Sequence, residues 1–237
     1  MALEDGHCTI CTSSTYFWDT TLEGWSICEA LSPCPLQAEM KSEEKIIAVQ
    51  PFGHVRGDVV EVIASNLEIF FQIRTEVFPD QPIPDGAHNP RRGQFNCYPI
   101  LRSLGTLRPD HAIKIIGVTD VDLFIPILTY VFGEAEMGGN ATVISTYRPA
   151  RGKDRQLVPS KLFFERIAKI AVHEMAHTFR LAHCKEDGCL MESFPVLSHV
   201  DEQPIRFCRY CVTFLKDEYE NLGIPWRHDV ANQENTL

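Results

Sequence analysis

The 237-residue chain is 44% hydrophobic and 23% charged, enough for one sizeable core with a small annex. A formal net charge of −10 argues against a nucleic-acid surface, and no Lys/Arg cluster in the sequence offsets it. The longest apolar run, Leu123 to Phe132, contains Pro126 and is too short for a membrane span. The start Met1-Ala2-Leu3-Glu4-Asp5 lacks the basic and apolar regions of a signal peptide, so the expectation is an intracellular protein that binds no membrane. Nine cysteines, odd in number and unevenly clustered, favour metal binding or free thiols over a disulfide framework.

Residues 1–44 carry four cysteines and little periodicity, and are expected to form a separate extension. Cys8-x2-Cys11 with Cys28 and Cys34 leaves two readings open, a third zinc site or free thiols. The main domain is expected over 45–237, with the sheet and a metal-binding helix in 45–183 and an irregular annex in 184–237. Ile46 to Val49 reads as a buried strand. Gly57 to Phe71 reads as a helix with Val59, Val60, Val62, Ile63, Leu67, Phe70 and Phe71 on its apolar side. Gln72 to Phe78 alternates and reads as a second strand. A Pro-rich loop, Asp80 to Gly93, precedes a helix over Phe95 to Leu104. Ala112 to Val118, Thr129 to Phe132 and Ala141 to Tyr147 read as three further strands. The alternation predicts an α/β (α+β) domain, a twisted mixed five-stranded sheet with helices packed on it. Pro159 opens a long helix to about Phe179, and Val212, Leu215, Tyr219 and Leu222 mark a last one, ended by Gly223 and Pro225.

The long helix carries His173-Glu174-Met175-Ala176-His177. Residues four apart share a helix face about 6 Å apart along the axis, so both imidazoles can reach one Zn²⁺. Glu174 stands beside them, placed to take a proton from a water polarised by the metal. His183, six residues on, can join as third ligand only if the chain leaves the helix after His177. Glu192, Glu218 and Glu220 are alternatives for that role. Cys184-x4-Cys189 and Cys208-x2-Cys211 are two tight pairs suited to a tetrahedral structural zinc. In extended chain, neighbouring side chains point opposite ways. His183 and Cys184 could therefore serve two metals, the cysteine site fixing the segment that supplies the third histidine.

Together the run H-E-x-x-H-x5-H-C-x4-C-x-M and the later C-x-x-C resemble the metzincin metallopeptidases, and within them the archaemetzincin family. Gly117 to Leu123 and Phe132 to Ala135 also look like that family, so the resemblance covers about residues 46–222. It implies a catalytic zinc on His173, His177 and His183, Glu174 as base, a methionine turn at Met191, and a structural zinc on Cys184, Cys189, Cys208 and Cys211. The implied partner is a peptide or protein substrate, which the strand Ala141 to Tyr147 would receive as an edge. Metzincins carry glycine where this chain has Arg180. A side chain in the left-handed conformation costs about 1–2 kcal/mol, against roughly ten available from zinc binding. Two functions stay open: a zinc metallopeptidase, or a zinc-stabilised peptide-binding module with weak or absent catalysis.

Overall fold

The computed structural model describes residues 45–227, so the expectations for residues 1–44, including Cys8, Cys11, Cys28 and Cys34, and for the end of the polar tail lie outside the described residues. Five strands form the main sheet: β1 (Ile46–Phe52), β2 (Thr75–Val77), β5 (Ala112–Thr119), β7 (Gly133–Ala135) and β8 (Ala141–Ser145). Their order is β2-β1-β5-β8-β7, parallel throughout except for β7, which runs antiparallel to β8. A small second sheet joins β3 (His88–Asn89), β4 (Gln94–Asn96) and β6 (Leu123–Phe124). No expectation covered it, because pairs of two or three residues leave no periodic trace.

The helices are α1 (Gly57–Phe71), α2 (Cys97–Leu107), α3 (Ser160–Thr178), α4 (Leu197–Glu202) and α5 (Arg209–Asn221). Strand side chains alternate between faces, so β1 sends Ile47 and Val49 into one core and Ile46, Ala48 and Phe52 into the other. Both faces are covered, which explains why the start of β1 reads as an unbroken apolar run and β5 as an apolar one broken only by Lys114, rather than as alternating strands. The first core takes α1 and α3. The second takes α2, whose start is capped by the Asn96 side chain accepting the Tyr98 N–H at 3.1 Å.

Two expectations shift. Thr129 to Phe132 is not a strand; the fifth strand is the next segment, β7, expected as a connection. The apolar run is explained by packing: the Tyr130 and Phe132 rings lie 5.6 Å apart and Phe132 enters the first core. Nor is Ala141 to Tyr147 an edge. β8 is paired on both sides, and the sheet ends at β7.

Candidate active site

α3 is mostly buried, and its C-terminal half carries the site. His173 and His177 face the same way, with Nε2 atoms 3.1 Å apart. His173 Nδ1 lies 2.7 Å from the Leu190 carbonyl and His177 Nδ1 lies 2.6 Å from the Leu181 carbonyl. A carbonyl only accepts, so each Nδ1 carries the proton and each Nε2 is left with a bare lone pair. Two such lone pairs at that distance repel unless a cation lies between them. Burial, helped by the neighbouring His177, pushes His173 down to about 3, and burial also lowers His177. These two rings are neutral at ordinary pH, the form that binds metal.

The third histidine depends on how α3 ends. The Leu181 N–H bonds the Ala176 carbonyl (3.2 Å) and the Arg180 N–H bonds the His177 carbonyl (3.0 Å). This is the Schellman arrangement, in which the residue after the cap is left-handed. Arg180 is that residue, with φ +64°. Its side chain lies over Gly138 and pairs with Glu218 at 3.4 Å. The turn therefore forms with arginine in the place of glycine. The imidazole of His183 comes within 5.4 Å of His173 and 5.0 Å of His177, ring centre to ring centre. One ligand atom from each of the three histidines lies within 4.8 Å of the others. Of the alternatives, Glu192 accepts the Gly188 N–H and a Gln203 amide hydrogen, Glu218 is taken by Arg180, and Glu220 is exposed on α5.

Glu174 points to the same cleft, about 600 Å³ in volume, lined by the three histidines and by Gly133, Glu134 and Ala135 of β7. Burial pushes its carboxyl up to about 8, and the charge of Glu134 adds to this. A metal cation beside it would oppose both effects. Gly133 is the residue that lets β7 lie so close. A Cβ there would stand 2.6 Å from Glu174 Cγ and 2.9 Å from the Val143 carbonyl.

The four cysteines gather separately. Cys184 and Cys208 sulfurs are 3.7 Å apart, as are those of Cys189 and Cys211, and all four lie within 4.8 Å of one another. That excludes disulfides and matches the roughly 3.7 Å edge of a tetrahedron with Zn–S bonds of about 2.3 Å. Hydrogen bonding from Cys211 first, then from backbone N–H groups, pulls the Cys189 thiol well below its ordinary range. Met191 is fully buried one residue past the carbonyl that orients His173, and its own carbonyl accepts the Cys184 N–H at 2.8 Å.

Lys114 went unnoticed in the sequence, although a lone lysine inside Ile113-Lys114-Ile115-Ile116 is itself a signal. It is 2% exposed, and its ammonium bonds the carbonyls of Thr178 and Gly139, both at 2.8 Å. With the Gly138 N–H on the His177 carbonyl (2.9 Å), it ties the end of α3 to the β7–β8 turn.

A catalytic-type histidine cluster, a carboxyl beside it and a separate thiol cluster are the parts of a zinc metallopeptidase. Residues 83–217 match the model of peptidase family M54. The chain is 34% identical over 170 residues to the archaemetzincin of Archaeoglobus fulgidus, covering 72% of this chain and 98% of that one. It is 35% identical over 172 residues to that of Methanocaldococcus jannaschii, covering 72% and 93%. The crystal structure of the A. fulgidus protein complexed with malonate superposes with a TM-score of 0.61 at 36% identity, over 72% of this chain and 99% of that chain. That of the Methanopyrus kandleri archaemetzincin gives 0.66 at 25% identity, over 76% and 98%. The chain belongs to peptidase family M54, the archaemetzincins. Zinc is the metal this family implies, and no helix among the described residues is long and apolar enough to cross a membrane.

Proposed function

We propose that the protein hydrolyses peptide bonds with Glu174 as general base and His173, His177 and His183 as the ligands of one catalytic zinc. The observation that carries this is the pair of bare, inward-facing Nε2 atoms 3.1 Å apart beside a carboxyl in an open cleft. Zinc bound there supplies a Lewis acid that acidifies water and stabilises charge on the peptide oxygen. Glu174 takes the proton of the attacking water and passes it to the departing amine. The close approach of Gly133 confines the Glu174 side chain. The free edge of β7 lies along the cleft and offers backbone groups to an extended substrate, fixing the scissile bond over Glu174. Cys184, Cys189, Cys208 and Cys211 hold a second, structural zinc.

Two measurements test this reading. Zinc per chain should fall by one in His177→Ala. Glu174→Ala should keep its zinc and lose hydrolysis of a peptide library by about a hundredfold or more. Wild-type hydrolysis in Glu174→Ala rules out the base assignment. Peptide binding without cleavage in the zinc-loaded wild type favours the binding module instead.

A further inference from the structure

Beside the cleft, across Thr129, Tyr130 and Phe132, which line both, lies a larger cavity of about 910 Å³. The two meet at Tyr130, whose hydroxyl donates to the Pro195 carbonyl at 3.2 Å. In a chain of net charge −10, this cavity is lined by six cationic side chains against three acidic ones. Four of them, Arg148, Arg151, Lys153 and Arg155, lie within eight residues of chain, a short basic stretch that the sequence reading passed over, and the fold brings Arg92 and Arg166 to it.

Two of the six are neutralised where they stand. Arg148 grips Asp122 with two bonds (2.6 and 2.8 Å), and Arg166 grips Asp201 likewise (2.7 and 2.8 Å). The others keep their charge. Arg92 bonds only neutral acceptors, the Gln94 side chain and the Leu128 and Thr129 carbonyls. Arg151 donates to the Tyr147 carbonyl and lies over that ring. Lys153 and Arg155 make no ion pair or side-chain hydrogen bond among the described residues. They sit on a tight turn closed by Gly152 and Gln156 backbone bonds, with Arg155 at φ +64°. Asp154, between them, does not line the cavity; its carboxylate accepts the Gln156 N–H at 3.1 Å. Four unneutralised cations thus share a concave, solvent-open space with the single unpaired acid Asp120, Lys153 and Arg155 being exposed at it. Such a space concentrates anionic groups.

We infer that this cavity is a specificity subsite that receives a carboxylate of the substrate, so that the protein prefers peptides with an acidic residue near the scissile bond. This rests on the peptidase reading for its consequence in catalysis, but not for binding. The carboxylate has two sources, a Glu or Asp side chain or a free C-terminus.

The test uses the zinc-loaded full chain and quenched fluorescent peptides that differ only by Glu or Gln at each of the positions flanking the bond. Each peptide is made with a free and with an amidated C-terminus. The expected result is a kcat/KM ratio favouring one carboxylate-bearing peptide by about fivefold or more at low salt, shrinking as salt rises. A preference that follows Glu assigns the side chain; one that follows the free acid assigns the C-terminus. In Lys153→Gln/Arg155→Gln the ratio should approach one. In Lys153→Glu/Arg155→Glu a Lys-bearing peptide should become the better substrate, a gain that misfolding cannot imitate. Equal rates for acid and amide at every position, or a ratio untouched in both variants, overturn the inference. If nothing is cleaved, the peptidase reading fails, and anisotropy of the same labelled peptides decides the subsite alone. Acid-selective binding lost in the Gln variant supports it, and equal binding overturns it.

Discussion

The histidine and cysteine clusters are built in opposite ways. Two of the three histidines stand on one rigid helix, and two backbone carbonyls aim their rings. The packing of α3 between sheet and α1 makes most of that site before any metal arrives. The cysteines come from irregular chain and from the first turn of α5, and are gathered by scattered bonds, such as Leu190 N–H to the Arg206 carbonyl (2.7 Å) and Cys184 N–H to the Met191 carbonyl (2.8 Å), rather than by one rigid element. On the proposed zinc assignment, the first site would use structure to hold a metal and the second would use a metal to hold structure. The two clusters meet at His183-Cys184, so a loss of order at the second is expected to draw the third histidine away from the first.

The largest effect should therefore come from the cysteine side. Structural zinc contributes on the order of 10 kcal/mol, comparable to the whole stability of a domain. Cys208→Ser/Cys211→Ser should lose a zinc, open the segment from Cys184 to α5 to proteolysis, and abolish hydrolysis as well. His177→Ala should lose a zinc and hydrolysis yet keep its near-UV circular dichroism and protease resistance. A cysteine double variant that melts within a few degrees of wild type breaks the distinction.

Next in size is Gly133→Ala. The added methyl would meet Glu174 Cγ at 2.6 Å and the Val143 carbonyl at 2.9 Å, and the backbone carbonyl cannot swing aside. The carboxyl has to move, and displacements of about 1 Å cost about a hundredfold in rate. Zinc content should stay at the wild-type level, since no ligand is touched. Full activity in this variant means that the position of Glu174 does not matter.

Much of this was legible in the sequence because helical spacing is a physical constraint. His173 and His177 share a face whatever else the fold does, and the paired cysteines imply a cluster. Three of the five sheet strands were marked by apolar runs, and β2 by alternation. What escaped was short or made by tertiary contact. β7 is three residues long, and its only distinctive residue is a glycine whose role depends on Glu174, far along the chain. The carbonyls of Leu190 and Leu181 leave no signature, because any residue has one. At the second cavity the basic stretch 148–155 was there to be read, but Arg92 and Arg166 join it only through the fold.

Lys114 gives a prediction with a sign. Burial lowers its ammonium from the ordinary 10.5 to about 8. Between those values the unfolded chain binds more protons at this site than the folded one, so this group adds stability as pH rises. The contribution is fully present above 10.5 and is lost as pH falls through about 8. It amounts to about 3 kcal/mol. Lys114→Met lacks that dependence and strands the Thr178 and Gly139 carbonyls. Urea unfolding of both proteins should show the variant's deficit to be larger at pH 10 than at pH 7. An equal deficit at both pH values shows that the ammonium stays protonated throughout.

Arg180→Gly is the smallest expected change and bears most directly on the histidine site. Glycine removes a left-handed side chain, a gain of about 1–2 kcal/mol, partly offset by the larger entropy glycine loses on folding. It also removes the partner of Glu218, which is 8% exposed; the arginine is mostly exposed, so the pair itself contributes little, but the carboxylate is left half-desolvated. The terms nearly cancel, and the melting temperature should move by only a few degrees. The turn bonds from Arg180 and Leu181 to α3 are backbone bonds and survive the change. Zinc affinity of the histidine site should therefore match wild type. If glycine instead tightens zinc binding tenfold, the arginine is straining the approach of His183, and the site is less preformed than its two helical ligands suggest.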